Sequence, residues 1–448
     1  MGYFPDMPEA APNHDSTPGR ARRLIMRWRT RLGPLAWGTA LVFVIQRGND
    51  IANLICKLFL GRVLEPLDFG AVEPIMAVAG VLAIPAAVIN ATAVKSISRL
   101  RSQGREAQCR ALIHDLEIIA TVGSVLSIAI VFALRHFILS RLHLESPVFI
   151  WMIAIMFATS WWAPLVLSIM RAEHSYHLLP ISYIVGPFVN VGLTVILAGV
   201  LGFGLEGAIA ARVASSCIII AILQSLIHAR HRGSREPYPE ERAAMIRMLW
   251  PVGVLAVTGT FALSFDRLFV RNFMVEHSAG ISAIFMLGQI PMLIIAPLSF
   301  VLFPIAAAQH ASGQALGRLL LRTTFAGIAV TAACCLGFAF LATPLLRLWR
   351  PEFAPYGHYV WVYGLMAGLQ AIGGIMTQVE MARHEYRFLW FYALPILLAC
   401  TGVYLVQDYT SITVSLANLL WSLVAGQALA LAGITTHLAL ARRKRKSA

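Results

Sequence analysis

Residues 116–139 read LEIIATVGSVLSIAIVFALRHFIL, with no charged side chain between Glu117 and Arg135. A helix needs about 20 apolar residues to cross roughly 30 Å of hydrocarbon, and this stretch is long enough. Working outward, blocks of the same kind recur at roughly 35–60, 69–94, 148–170, 179–201 and 206–228, and again at 249–272, 280–305, 323–347, 357–379, 389–407 and 412–440. The sequence therefore predicts an all-α membrane protein of about twelve transmembrane helices. Composition agrees: the 448 residues are 58% hydrophobic and 13% charged, whereas soluble chains carry about 25% charged residues. An ordinary soluble enzyme and a disordered chain are both excluded. The opening MGYFPDMPEAAPNHDSTPG is polar and Pro-rich, unlike the basic start and apolar core of a cleaved signal peptide. Only LGFGL (201–205) separates the fifth and sixth blocks, which predicts a tight helical hairpin.

Lys and Arg set the expected orientation. With the N-terminus in the cytoplasm, 26 of the 36 basic residues fall on the inner side and three (Arg62, Arg141, Arg350) in outer loops. Basic residues accumulate on the cytoplasmic side of membrane proteins, so both termini are expected there. The net charge of +14 is thereby explained by topology, and no nucleic-acid partner is expected. In RARRLIMRWRTR (20–31), Arg20, Arg23, Arg27 and Arg31 share one helical face opposite Leu24, Ile25 and Trp28. That pattern suits an anionic membrane surface. The six cysteines show no metal or disulfide spacing and read as apolar packing residues.

The chain divides into a cytoplasmic tail with its basic juxtamembrane segment (1–34), a first half (35–228), an inter-lobe loop (229–248), a second half (249–440) and a basic tail (441–448). Each half holds six spans, and the halves begin alike. NDIANLICKLFLGRVLEPLDFG (49–70) is echoed by FDRLFVRNFMVEHSAG (265–280). In both, an Asp (Asp50, Asp266) sits in the outer part of the first span, and a short outer loop ends in Gly (Gly70, Gly280). A Pro-containing span and a cytoplasmic loop with Gly104 or Gly313 follow. Same-orientation repeats of this kind place transporter substrate sites at their interface.

Charges inside spans are the candidate functional residues, because an ionised group at the bilayer centre costs about 2.5–3.5 kcal/mol. The first span carries Arg47, Asp50, Asn53 and Lys57, and helical geometry puts Asp50, Asn53 and Lys57 on one face. Arg47, three residues from Asp50, can pair with it. The group either lines a water-filled cavity or forms a structural Arg–Asp pair beside a Lys that reaches the interface. The seventh span repeats the theme with Asp266 and Arg267, while Arg271 reads as a boundary charge. Arg212 and Glu73 lie in the outer half of their spans, and Gln289 is a further polar candidate. Pro85, Pro164, Pro187, Pro291, Pro297 and Pro395 interrupt spans; the eighth, with Pro291 and Pro297, is the expected hinge.

Six plus six spans, the LEPLDFG segment and DRLFVRNFMVEHSAG followed by PLSFVLFP together resemble the polysaccharide-exporter (Wzx-type) flippases. These belong to the multidrug/oligosaccharidyl-lipid/polysaccharide (MOP) superfamily. The resemblance covers nearly the whole chain after residue 34 and implies two six-helix, MATE-like lobes in the bacterial inner membrane. It implies export of a polyprenyl-diphosphate-linked oligosaccharide, as for O-antigen or exopolysaccharide, by alternating access through a cationic central cavity. Arg47, Asp50, Asn53, Lys57, Arg212, Asp266, Arg267 and Gln289 would line that cavity. Guanidinium groups suit a diphosphate, since they bind phosphate through a bidentate fork. Asp50 and Asp266 either serve H⁺ or Na⁺ as coupling ion or hold the arginines in place. Membrane lipids and polysaccharide assembly proteins are the remaining expected partners.

An ion-coupled drug or metabolite antiporter of the same superfamily is the first alternative. A membrane glycan polymerase or ligase is the second, and the short outer loops speak against it. No catalytic constellation, metal spacing or P-loop is present. The expectation is a transporter with no cofactor, not an enzyme.

Overall fold

The computed structural model describes residues 45–172, 178–228, 233–296, 317–382 and 386–447. The basic face at 20–31, Pro297 and Gly313 lie outside the described residues. Helix α1 (residues 45–63) stands at the place of the first predicted span. It is followed by α2 (Pro66–Leu82), α3 (Ile84–Ser102), α4 (Glu106–Ala133), α5 (Arg135–Leu142) and α6 (Val148–Ala172). Then come α7 (Ile181–Val200), α8 (Gly204–His228) and α9 (Pro239–Phe273). The chain continues through α10 (Ser278–Gly288), α11 (290–296), α12 (Gly317–Trp349), α13 (Val360–Ala382), α14 (Phe388–Tyr409) and α15 (Leu416–Ser447). Among the described residues ten helices are long and apolar enough to cross a membrane, or eleven with the bent pair α2–α3 taken as one. Every regular element among them is helical, as lipid requires of a chain that must satisfy its own backbone.

Several boundaries differ from the sequence reading, each for a local reason. The second span is two helices meeting at 56° around Ala83. Pro85, in the first turn of α3, offers no N–H and crowds the preceding turn. The eighth span is interrupted by a single turn residue at Gln289, two residues before Pro291, and otherwise runs on as one span to Ala296. The segment LEPLDFG is a helix start rather than a loop: Pro66 opens α2 with Asp68 in its first turn, and Gly70 lies within the helix. Gly280 is likewise inside α10. The inter-lobe loop is shorter than expected because Pro239, Glu240 and Glu241 begin α9 ten residues early. At the other terminus α15 carries helix through the basic tail to Ser447. The tight hairpin holds: Gly202 and Gly204 take φ +70° and +52°, and the Phe203 amide donates to the Leu197 carbonyl at 3.0 Å.

The turns at 103–105 and 233–238 mark one end of the bundle, termed the basic end for its Lys and Arg. There Arg99 of α3 pairs with the buried Glu241 of α9. The Arg110 side chain also donates to the Ser234 carbonyl at 3.0 Å. The opposite end is sealed by donors from the second half of the chain on carbonyls of the first. Trp349 Nε1 donates to Leu58 (3.0 Å), and Arg350 Nη1 to Gly61 (3.2 Å) and Leu64 (2.7 Å). Arg271, read as a boundary charge, is 4% exposed there. Its guanidinium donates to the carbonyls of Leu142 (2.7 Å), Leu67 (3.0 Å) and His143 (3.3 Å). Burial obliges these N–H groups to find partners, and exposed carbonyls at helix ends supply them.

Small residues permit this closeness. A Cβ at Gly70 would come within 2.7 Å of the Ala279 amide nitrogen, and one at Gly61 would overlap the Trp349 ring. Trp349 also meets Phe69 and Phe353 at centroid distances of 5.4 and 5.0 Å. Since lipid tails are as apolar as these rings, tight packing rather than water exclusion holds the contact. Gly61→Val is therefore expected to cost about 1–3 kcal/mol through overpacking, seen as a lower melting temperature in detergent. Unchanged melting would show that Trp349 yields without strain.

Candidate substrate-binding cavity

α1 presents its polar face to a cavity of about 820 Å³, walled also by α2, α6, α7, α8, α10 and α11. Arg47, Asp50, Asn53 and Lys57 of α1, Arg212 of α8 and Gln289 at the α10–α11 break all line it. Those six of the eight sequence candidates come together there. Arg47 Nη1 lies 2.9 Å from Asp50 Oδ2, the i,i+3 pair the spacing predicts. Arg212 Nη1 donates to Asn53 Oδ1 at 3.4 Å. Deeper in the wall, Cys56, read as a packing residue, has its Sγ 3.7 Å from both Asn190 and Thr194.

Asp266 and Arg267 are not among the lining residues. Asp266 is 0% and Arg267 6% exposed. Arg267 Nη1 donates to Glu73 Oε2 at 2.9 Å, and its Nε is 3.7 Å from Asp266 Oδ1. Glu73 Oε1 takes Lys57 Nζ at 2.8 Å. Both cations also sit over the Phe285 ring, Arg267 at 4.0 Å and Lys57 at 4.4 Å from its centroid. Glu73 thus joins α1, α2 and α9 in one buried cluster, and Phe285 carries that cluster to the cavity wall. The sequence reading treated Glu73 as an outer-half charge. An acid among apolar residues seven positions into a Pro-started helix was its available signal.

In formal charge the cluster of Lys57, Arg267, Glu73 and Asp266 holds two cations and two carboxylates. Of the charges that line the cavity, Arg47, Lys57 and Arg212 face Asp50 and Glu73. Arg47 and Lys57 are paired with carboxylates, and Arg212 forms no ion pair among the described residues. The excess positive charge of the cavity is therefore centred on Arg212, which is half-buried. An apolar groove of about 470 Å³, lined by residues such as Leu58, Phe59 and Leu345, adjoins the cavity and shares Leu54, Met286 and Leu287 with it. Among the described residues no group of three His, Cys, Asp or Glu side chains could hold a metal ion.

A helical bundle with a charged cavity between its two sets of helices defines a multi-pass membrane protein of transporter architecture. More specifically, the model of the polysaccharide biosynthesis protein family matches residues 35–310, more than half the chain, and the protein belongs to that family. Solved structures agree in fold. An inward-facing multidrug-resistance MATE transporter of the MOP superfamily superposes with TM-score 0.73 at 14% identity, over 91% of this chain and 100% of that one. A MOP superfamily transporter from Pyrococcus furiosus, described for the reverse polarity of its binding pocket, gives TM-score 0.65 at 14% identity over 94% and 97%. An outward-facing MATE transporter gives 0.57 at 14% identity over 91% and 95%. No curated protein sequence matches the chain. The resemblance to MOP superfamily proteins and the MATE-like architecture expected from the sequence are borne out.

Proposed function

We propose that the protein is a flippase that moves a polyprenyl-diphosphate-linked oligosaccharide across the bacterial inner membrane for surface polysaccharide synthesis, with its basic end and both termini in the cytoplasm. The observation that carries this reading is the joining of a charged cavity to an apolar groove. An amphiphile with an anionic, sugar-bearing head and a long apolar tail needs both environments at once. The head would occupy the 820 Å³ cavity, its diphosphate on Arg212 and Arg47 with Asn53 and Gln289 toward the sugar. The tail would leave through the groove at Leu54, Met286 and Leu287 into lipid. Alternating access would rock the two halves about this site, with the 56° bend of α2–α3 at Ala83 and the turn residue Gln289 between α10 and α11 as the points that give. Asp266 and Arg267, which lie outside the lining, would hold the halves together through Glu73 rather than touch the substrate. Asp50, salt-bridged to Arg47, would orient that guanidinium, or exchange H⁺ or Na⁺ when substrate displaces the arginine.

Mass spectrometry of polyprenyl-linked lipids from a deletion strain tests the reading. Accumulation of a completed diphosphate-linked repeat unit, relieved by the wild-type gene and not by Arg47→Ala, is the expected result. An unchanged lipid pool in cells that still make surface polysaccharide would overturn it.

A further inference from the structure

A second cleft, of about 410 Å³, opens between α4 and α9 near the basic end, with Ile89 of α3 in its lining. Its two walls are single helical faces: Leu112, Leu116 and Ile119 on α4, and Met245, Ile246 and Leu249 on α9. Ile118, Ile119 and Ile246 are 49%, 41% and 58% exposed, so in a membrane this cleft faces lipid. The polar groups gather at one end, where Asp115, Tyr238 and Arg242 stand. From Arg242 to Leu249 the wall then runs about 10 Å down the helix, at 1.5 Å per residue. On α9 the polar groups thus lie nearer the basic end than the apolar wall. On α4 Asp115 stands between Leu112 and Leu116, beside the start of the apolar block at 116, where a lipid headgroup would meet it.

The arrangement of charge is specific. Tyr238 donates its hydroxyl to Asp115 Oδ2 at 2.5 Å. Burial, and then the adjacent Asp115 carboxylate, push that hydroxyl well above its ordinary range, so it stays a donor. Asp115 and Arg242 line the same cleft, yet neither forms an ion pair among the described residues. An acid and a base left apart at the mouth of an apolar slot complement a ligand that carries both charges itself. Guanidinium suits a phosphodiester, and a carboxylate suits a primary ammonium, whose N–H groups it can accept.

We propose that this cleft is a binding site for a zwitterionic, primary-amine phospholipid of the phosphatidylethanolamine class. Its phosphate rests on Arg242, its ammonium on Asp115, and one acyl chain lies between α4 and α9. Because α4 belongs to the first half of the chain and α9 to the second, the lipid touches both halves. Its occupancy stabilises the arrangement seen here. The site is independent of the central cavity and of the nature of the exported substrate.

The test is native mass spectrometry and thermal unfolding of the full-length protein with phosphatidylethanolamine, phosphatidylcholine or phosphatidylglycerol added to detergent. Wild-type protein is expected to retain phosphatidylethanolamine about tenfold better than phosphatidylcholine, whose quaternary amine has no N–H, in line with one charge-assisted hydrogen bond. Asp115→Asn should abolish that preference, and Arg242→Gln should weaken retention of both lipids. Arg242 is exposed and unpaired, so its variant keeps the fold; the ratio between lipids reads Asp115 independently of any change in stability. Equal retention of all three lipids, a preference for phosphatidylglycerol, or a preference unchanged in Asp115→Asn would each overturn the proposal.

Discussion

Replacing Arg267 with alanine is expected to lower stability by about 3–5 kcal/mol, the usual cost of breaking a buried ion pair and stranding its partner. Arg267 is 6% exposed and stands between Glu73 at 2.9 Å and Asp266 at 3.7 Å. Without it Glu73 keeps Lys57 at 2.8 Å. Asp266, at 0% exposure, loses the only cation within ion-pair distance among the described residues. The loss should therefore fall chiefly on Asp266, and adding Asp266→Asn to Arg267→Ala should recover part of it. In a double-mutant cycle the two sites should couple by about 1 kcal/mol or more. Melting of the purified variants in detergent checks both statements. A single variant that melts like wild type but no longer transports would instead place Arg267 in the substrate path, as its position in the seventh span suggests from sequence.

The contrast between Arg47 and Arg267 shows what the sequence could carry. Arg47 and Asp50 are one helical turn apart, so their pairing follows from helix geometry alone. The bond from Arg267 to Glu73 joins residues 194 apart, and nothing local in either segment names the other. Hydropathy placed the spans because lipid admits few backbone arrangements. It misplaced the start of α9, where Pro239, Glu240 and Glu241 continue the helix beyond the apolar block. Hydropathy reports where lipid ends, and a helix has no need to end there. Gly70 and Gly280 were visible as a repeat, but their role was not. Both read as turn glycines, and both are sites of close approach: Gly70 to the Ala279 backbone, Gly280 to the Tyr356 ring. Missing side chains leave the same mark in a sequence whether the backbone turns or another element presses on it.

The closure opposite the basic end has a further consequence for transport. Its hydrogen bonds run from indole and guanidinium donors to backbone carbonyls. Opening this end would break these bonds together and leave buried donors without partners, so movement of the two halves has to supply both donors and carbonyls with new partners or water.

Arg212→Ala is expected to give the largest loss of transport among cavity variants. Arg47 and Lys57 each share their charge with a carboxylate at 2.9 and 2.8 Å, so part of their field is already spent on the protein. Arg212 has only the Asn53 amide oxygen, at 3.4 Å. An anion entering the cavity meets it first in energetic terms, because no ion pair has to be broken. A hydrogen bond to a charged group contributes about 1.5–3 kcal/mol, so losing it should weaken substrate binding roughly 10- to 150-fold. Arg212→Lys keeps the charge without the planar fork and should fall between. Truncation should leave folding intact, since no buried carboxylate is stranded. The checks are melting in detergent, expected within a few degrees of wild type, and the pool of lipid-linked saccharide in cells, expected to rise as predicted for the deletion strain. If Arg212→Ala cells keep a wild-type pool, the anion is not held at Arg212, and the cavity would have to recognise its substrate through the polar Asn53 and Gln289 side chains instead.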